Sequence, residues 1–337
     1  MLIVRPARLD DLDAFIGLAK LAGPGFTSLA VSNADLEARL KKSVKSFKAK
    51  VTKPEDLIHL LMLEDSKTGE VVGISAVKSQ VGANKPFFSF KSLNIVQSSR
   101  AAERHFDMGV LILVNEYSGT SEVGTLFVKS KMRGTGAGRL ISQARYMFIA
   151  AQPERFSETI ISELRGQVDA SGYSPFWEAL GRKFFKMDFA KADKIAAETD
   201  NQFITDLMPK YPIYTELLSD EAQVVIGKAH PDGIGARRFL ENEGFRFEHC
   251  IDIFDAGPTM VVPRDQIRTV KESQVLEIRI VDALTRPHNG LISNNRIEDF
   301  RAVYSKLEFD GKTIMLKPKT VEALGVSNGQ NVRVFLQ

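Results

Sequence analysis

The sequence predicts an α+β fold, a mixed sheet flanked by helices, extended by a second similar half and a small β-rich tail; three observations lead there. An apolar, strand-like run from Glu122 to Val128 feeds the glycine-rich turn Arg133 to Gly138. A segment follows in which Leu140, Ala144, Met147, Phe148 and Ala151 recur at three- and four-residue spacing, the pattern of an amphipathic helix. The order strand, turn, helix, Gly-Phe then occurs again, with Val224 to Lys228 as strand, Gly235 to Glu243 as helix and Gly244-Phe245 as its stop. From about Ser273 the pattern changes to β-like stretches, Leu276 to Val281 and Phe309 to Val334, the latter interrupted by an Asp310-Gly311 turn signal. The expected division is 1–190 for the core, 191–272 for the second half and 273–337 for the appendage.

Each element has a local reason. Leu2 to Val4 reads as a short strand, and Asp10-Asp11 can cap a helix through Ala14, Phe15, Leu18 and Ala19. Gly23 to Leu29 is a loop whose Thr27 and Ser28 hydroxyls suit a ligand. Ile58 to Glu64 and Val71 to Val77 form a hairpin across the polar turn Asp65 to Gly69, and Met108 to Val114 is expected to pair with Glu122 to Val128. Thr159 to Leu164 is the next strand, and Pro175 opens a helix reaching Phe185. Residues 188–220 read as mostly helical, broken by Pro209 and Pro212.

Bulk properties exclude several classes. With 45 basic and 42 acidic residues, the net charge of +3 does not point to nucleic acid as a partner. The lysine run from Lys41 to Lys53 reads as a solvated helix face. The longest apolar run, Met108 to Val114, is far short of a bilayer span, and no basic-then-apolar leader opens the chain, so no membrane association and a cytoplasmic location are expected. The single cysteine, Cys250, excludes an internal disulfide or a multi-cysteine zinc site and reads as an ordinary buried residue.

The chemistry begins at the glycine turn. A pyrophosphate needs several backbone N–H groups converging on one point, and glycines before a helix N-terminus supply them together with a favourable dipole. Arg133, Gly134, Gly136, Gly138 and Arg139 meet that need. A P-loop is excluded because Gly138-Arg139-Leu140 lacks the Lys and the Ser/Thr, and the dinucleotide fingerprint, with different glycine spacing, is the runner-up. Of the 5 histidines, His230 is the best placed for acid or base work, between an apolar run and a helix; His59, His105 and His288 are not.

The basic-x-x-Gly-x-Gly pattern is similar to the CoA-binding turn of GNAT acyltransferases. Phe26-Thr27-Ser28-Leu29, Ser174 to Glu178, Phe184 to Met187, Leu207 to Lys210, His230-Pro231 and Asp252 to Pro258 together resemble the bacterial arginine N-succinyltransferases, over roughly residues 1–275. The resemblance implies a GNAT-like sheet and transfer of succinyl from succinyl-CoA, a cosubstrate and not a bound cofactor, to the α-amino group of L-arginine in arginine breakdown. It implies His230 as proton donor and Leu126 as a succinyl-CoA contact. It also implies a homo-oligomer or a hetero-oligomer of related subunits. A guanidinium calls for carboxylates, for which Glu163 and Asp255 are the candidates. No metal site is expected. An ornithine-preferring or broader amino-acid acyltransferase shares every one of these motifs, and a non-catalytic CoA- or amino-acid-binding module would keep the turn without releasing thiol.

Overall fold

In the computed structural model the described residues are 1–23, 26, 28–198 and 202–336. They build one 15-stranded sheet. The strands are β1 (Leu2–Pro6), β2 (Ile58–Asp65), β3 (Glu70–Lys78), β4 (Ser89–Ser99), β5 (Arg104–Val114), β6 (Ser121–Val128), β7 (Thr159–Glu163), β8 (Ile213–Tyr214), β9 (Arg246–Ile251) and β10 (Pro258–Pro263). The tail contributes β11 (Gln274–Ile280), β12 (His288–Ser293), β13 (Ala302–Phe309), β14 (Thr313–Leu316) and β15 (Asn331–Leu336). Across the sheet the order runs β12-β15-β11-β14-β13-β1-β2-β3-β6-β7-β10-β9-β4-β5-β8, and β12 also pairs with β13. That extra pairing closes the last five strands on themselves as a small barrel, sewn to the main sheet through β13 and β1. Val4 and Ala302 are partners there.

Helices α1 (Leu12–Ala22), α2 (Asn33–Lys48) and α3 (Ala137–Ala151) flank the sheet. Ser32 caps α2, its hydroxyl accepting from the Asp35 N–H at 3.2 Å. The expected Asp10-Asp11 cap of α1 is not made: Asp11 instead receives the Arg5 guanidinium at 2.7 Å, a buried pair pinning β1 to the start of the helix. In α3 the periodic residues Leu140, Ala144, Met147 and Phe148 are buried against the sheet, while Ala151 is half-buried. Burying each leucine, methionine or phenylalanine among them contributes about 1.5–3 kcal/mol. Four polar residues of α3, Ser142, Gln143, Arg145 and Tyr146, are buried too. Gln143 donates to Glu243 at 2.7 Å and accepts from Tyr304 at 2.5 Å, and Glu243 takes the Thr269 N–H at 2.8 Å. One polar network thus links α3, the segment around 243–269 and the C-terminal barrel.

Residues 191–272 lay helix Ile234–Asn242 and strands β9 and β10 onto the same sheet as β1 to β7. Two further local expectations fail. Val224 to Lys228 is not a strand: Ser219 caps a helix, Asp220–Val225, which buries Ala222, and the chain then turns at Gly227 with φ of 70°. The second strand-turn-helix repeat therefore lacks its strand. Nor does β5 pair with β6. It pairs with β4 and β8, while β6 lies between β3 and β7, because the Tyr117–Thr120 turn is tied to Val81 and carries the chain away. The single cysteine, Cys250, is fully buried, its thiol donating to Glu116 at 3.0 Å. Among the described residues no helix is long and apolar enough to cross a membrane.

Candidate active site

Two strands that begin side by side and then part create the site. β6 and β7 are parallel and pair only at Ser121 with Ile160 and Glu122 with Ile161. Beyond those pairs β6 is also displaced from β3 by a bulge, with Thr125 at φ 52° between Gly124 and Leu126. On its side toward β7 the splayed stretch has no partner strand among the described residues, a natural slot for an extended, amide-bearing chain such as pantetheine. A cavity of about 1050 Å³ opens there.

The glycine turn lies on its wall. Gly134 and Gly136 sit at φ of 78° and 86°, left-handed values that a side chain opposes, and Gly136 is the N-cap of α3. No atom would obstruct a Cβ at either position, so the demand is purely conformational. The N–H groups of the first turn of α3 are thereby free for an anion. Arg133, Gly134, Gly136, Gly138, Arg139 and Leu126 all line the cavity.

His230 lines it as well, and its placement is over-determined. Its N–H donates to the Arg165 carbonyl at 2.7 Å, and Gln167 donates to the Ala229 carbonyl at 2.7 Å, so the segment is pinned to the chain leaving β7. The ring Nδ1 accepts the Asp232 N–H at 3.2 Å and caps the short turn Pro231–Gly233. That leaves the ring proton on Nε2. Burial first, then the Arg165 charge, lower the His230 pKa below its ordinary value, keeping the ring neutral near pH 7.

Glu163, at the end of β7, also borders the cavity, beside Asp252 and Asp255. The approach is enforced by two glycines. A Cβ on Gly166 would stand 2.1 Å from the Asp255 carbonyl oxygen, and one on Gly257 would stand 2.0 Å from the Leu164 carbonyl oxygen. Asp255 spends its carboxylate on this crossing, accepting the N–H groups of Gly166 and Gly257, both at 2.8 Å. Asp252 accepts from the N–H groups of Phe254 and Asp255 at 2.7 and 2.9 Å. Glu163 has no hydrogen-bond or ion-pair partner among the described residues.

The resulting electrostatics are anionic and frustrated. Burial, then Asp252 and Glu122, hold the Glu163 carboxyl well above the usual carboxylate range, against the pull of Lys78. Burial raises Asp252, and burial with Asp252 raises Asp255 strongly. Asp193, on helix Phe189–Glu198, also lines the cavity and is pushed up to about 6 by burial and by Asp252. An entering cation would relieve this repulsion.

Ser28 reaches the same cavity, whereas Thr27 lies outside the described residues. Sequence reasoning missed Asp193, Asp252, Arg39 and Lys78 as cavity residues. Asp252 stood inside the recognised Asp252–Pro258 string; Asp193 and Arg39 occupy helical stretches with no local signal.

Fold and site together define an acyl-CoA-dependent N-acyltransferase. Residues 2–269 match the family described as the arginine N-succinyltransferase beta subunit, and residues 272–335 match that family's C-terminal domain. The chain belongs to the arginine N-succinyltransferase family. It is 39% identical to the arginine N-succinyltransferase of Salmonella paratyphi B and 38% to that of Escherichia coli, each match covering 99% of this chain and 97% of the relative. It is similar in structure to the arginine/ornithine succinyltransferase subunit AI of Pseudomonas aeruginosa, with a TM-score of 0.89, 35% identity, and 100% and 98% of the two chains covered.

Proposed function

We propose that this chain transfers the succinyl group of succinyl-CoA to the α-amino group of L-arginine, giving N2-succinyl-L-arginine and CoA, the opening step of arginine breakdown. The observation that carries the reading is one cavity combining a phosphate-binding helix N-terminus with an unneutralised acidic wall. The first suits a nucleotide thioester and the second a guanidinium.

In this reading the first turn of α3, with Arg133 and Arg139, holds the CoA pyrophosphate, and the splayed β6 around Leu126 binds pantetheine and orients the thioester carbonyl. The neutral α-amine attacks the carbonyl carbon, the C–S bond breaks, and in one concerted exchange the departing sulfur takes the Nε2 proton of His230 while the proton shed by the attacking nitrogen replaces it on Nε2, so the ring ends neutral. No acyl-enzyme forms. Glu163, with Asp252 and Asp193, pairs with the guanidinium, Asp255 shapes the crossing that presents them, and Ser28 contacts the acceptor. Assembly with like or related subunits and a cytoplasmic location belong to the same proposal.

The test is thiol release from succinyl-, acetyl- and butyryl-CoA with L-arginine, L-ornithine and L-lysine. Release with succinyl-CoA and arginine, at higher kcat/KM than with any other pair, is expected. Higher turnover on ornithine would move the assignment to an ornithine enzyme, and no release with any amine would leave a binding module.

A further inference from the structure

The cavity has an apolar wall as well as an acidic one, and a single charge stands in it. Phe15 of α1, Phe26, Ile58 and Leu60 of β2 and Phe127 of β6 form this wall, the Phe26 and Phe127 rings meeting edge to face at 5.9 Å. Arg39, on α2, reaches the same space. Its guanidinium donates to the Ser28 carbonyl and makes no ion pair among the described residues. The carboxylates nearest in charge to it are otherwise occupied: Asp35 is bonded to the Ser32 hydroxyl and Glu122 is held by Lys78 at 2.6 Å. Burial lowers the Arg39 pKa, the mark of a guanidinium short of a counter-ion.

The other cavity cations have identifiable work. Lys78 is committed to Glu122, Lys85 donates to the Ala196 carbonyl at 2.8 Å, Arg165 donates to the Val168 carbonyl beside His230, and Arg133 and Arg139 flank the glycine turn. Arg145 is bonded to the carbonyl and hydroxyl of Ser142 and lies against the Tyr146 ring. Arg39 shares the cavity with these apolar side chains and is left without an ion pair among the described residues.

We propose that Arg39 is the receptor for a substrate carboxylate. A guanidinium binds a carboxylate in a planar, two-point fashion, and in an apolar setting the pair discriminates strongly against a methyl group in its place. Resting on the reaction proposed above, the carboxylate has two sources: the distal end of the succinyl chain, whose two methylenes would lie on Phe15 and Phe127, or the α-carboxylate of arginine. The chemistry at Arg39 is the same for both.

Arg39→Met and Arg39→Lys, compared with wild type, separate the sources. With succinyl-CoA and L-arginine, Arg39→Met is expected to lower kcat/KM about 100-fold, with Arg39→Lys intermediate. If the succinyl carboxylate is bound, the Arg39→Met loss vanishes when butyryl-CoA replaces succinyl-CoA and persists when agmatine, which lacks the carboxylate, replaces arginine. If the arginine carboxylate is bound, the pattern reverses. Equal losses for every pair, or none, overturn the assignment. Thermal-shift titrations with the same four compounds read carboxylate preference without turnover. Transfer absent but the preference present in wild type and lost in Arg39→Met would sink the proposed reaction while sustaining the receptor. Preference unchanged by Arg39→Met would sink the receptor alone.

Discussion

At the scale of single residues, His230 and Asp193 make opposite contributions. His230 is a neutral ring with its Nδ1 occupied by the Asp232 N–H. On the proposed chemistry, His230→Ala should lower kcat by about 10²–10³-fold while succinyl-CoA binding, followed by calorimetry, stays within a few-fold of wild type. Asp193 is a strained carboxylate whose folded pKa of about 6 lies above the ordinary value of 3.8. The folded state therefore holds more protons than the unfolded chain between those values, and stability falls as pH rises through them. Asp193→Asn should thus melt higher than wild type at pH 8, by roughly 2–4 °C for a gain on the order of 1 kcal/mol, and the difference should disappear near pH 4. It should also weaken arginine binding. His230 was picked out in the sequence as the histidine between an apolar run and a helix, although that run, Val224 to Lys228, is not the expected strand. Asp193 was not, because its meaning comes from burial beside Asp252, a neighbour that only the tertiary fold supplies.

At the scale of elements, the glycine turn and the glycine crossing do different jobs. Gly136 needs its left-handed backbone but has open space around it, so Gly136→Ala should cost about 1 kcal/mol locally and raise KM for succinyl-CoA about 5- to 10-fold with kcat largely kept. Gly166 has no room at all. Gly166→Ala must part the Leu164–Gly166 and Asp255–Gly257 segments, and the measurable outcome is a protein that fails to fold or melts many degrees lower. The strand, turn and helix around Gly136 were readable because the signals are contiguous. The strand β4 was not, because Lys91, Ser92, Asn94, Gln97 and Ser98 give it no apolar face; it is a strand because β5 pairs along its whole length. The strings Ser174–Glu178 and Phe184–Met187 that carried the resemblance turn out to be packing, with Trp177 against Phe185 and Phe254 at 5.4 and 5.6 Å, behind the loop that presents Asp252.

For the whole molecule, the β-rich tail was legible as strands but not as a completing part of the core. Nothing local in 302–309 announces pairing with the N-terminal strand. Yet Phe300, Ala302, Leu291 and Phe335 belong to the same buried cluster as Phe148 and Val4, and Tyr304 satisfies Gln143 of α3. Removal of residues 273–337 should therefore uncover the edge of β1 and the back of α3, giving insoluble protein or one without a cooperative melt by circular dichroism. The burial of Cys250, whose thiol is pushed up to about 12 by desolvation and by Glu116, has a practical side. The native enzyme presents no reactive sulfhydryl of its own, so a colorimetric disulfide reagent will register only liberated coenzyme, continuously and without poisoning the catalyst. A cysteine introduced at the surface will then be the one point where a fluorophore attaches.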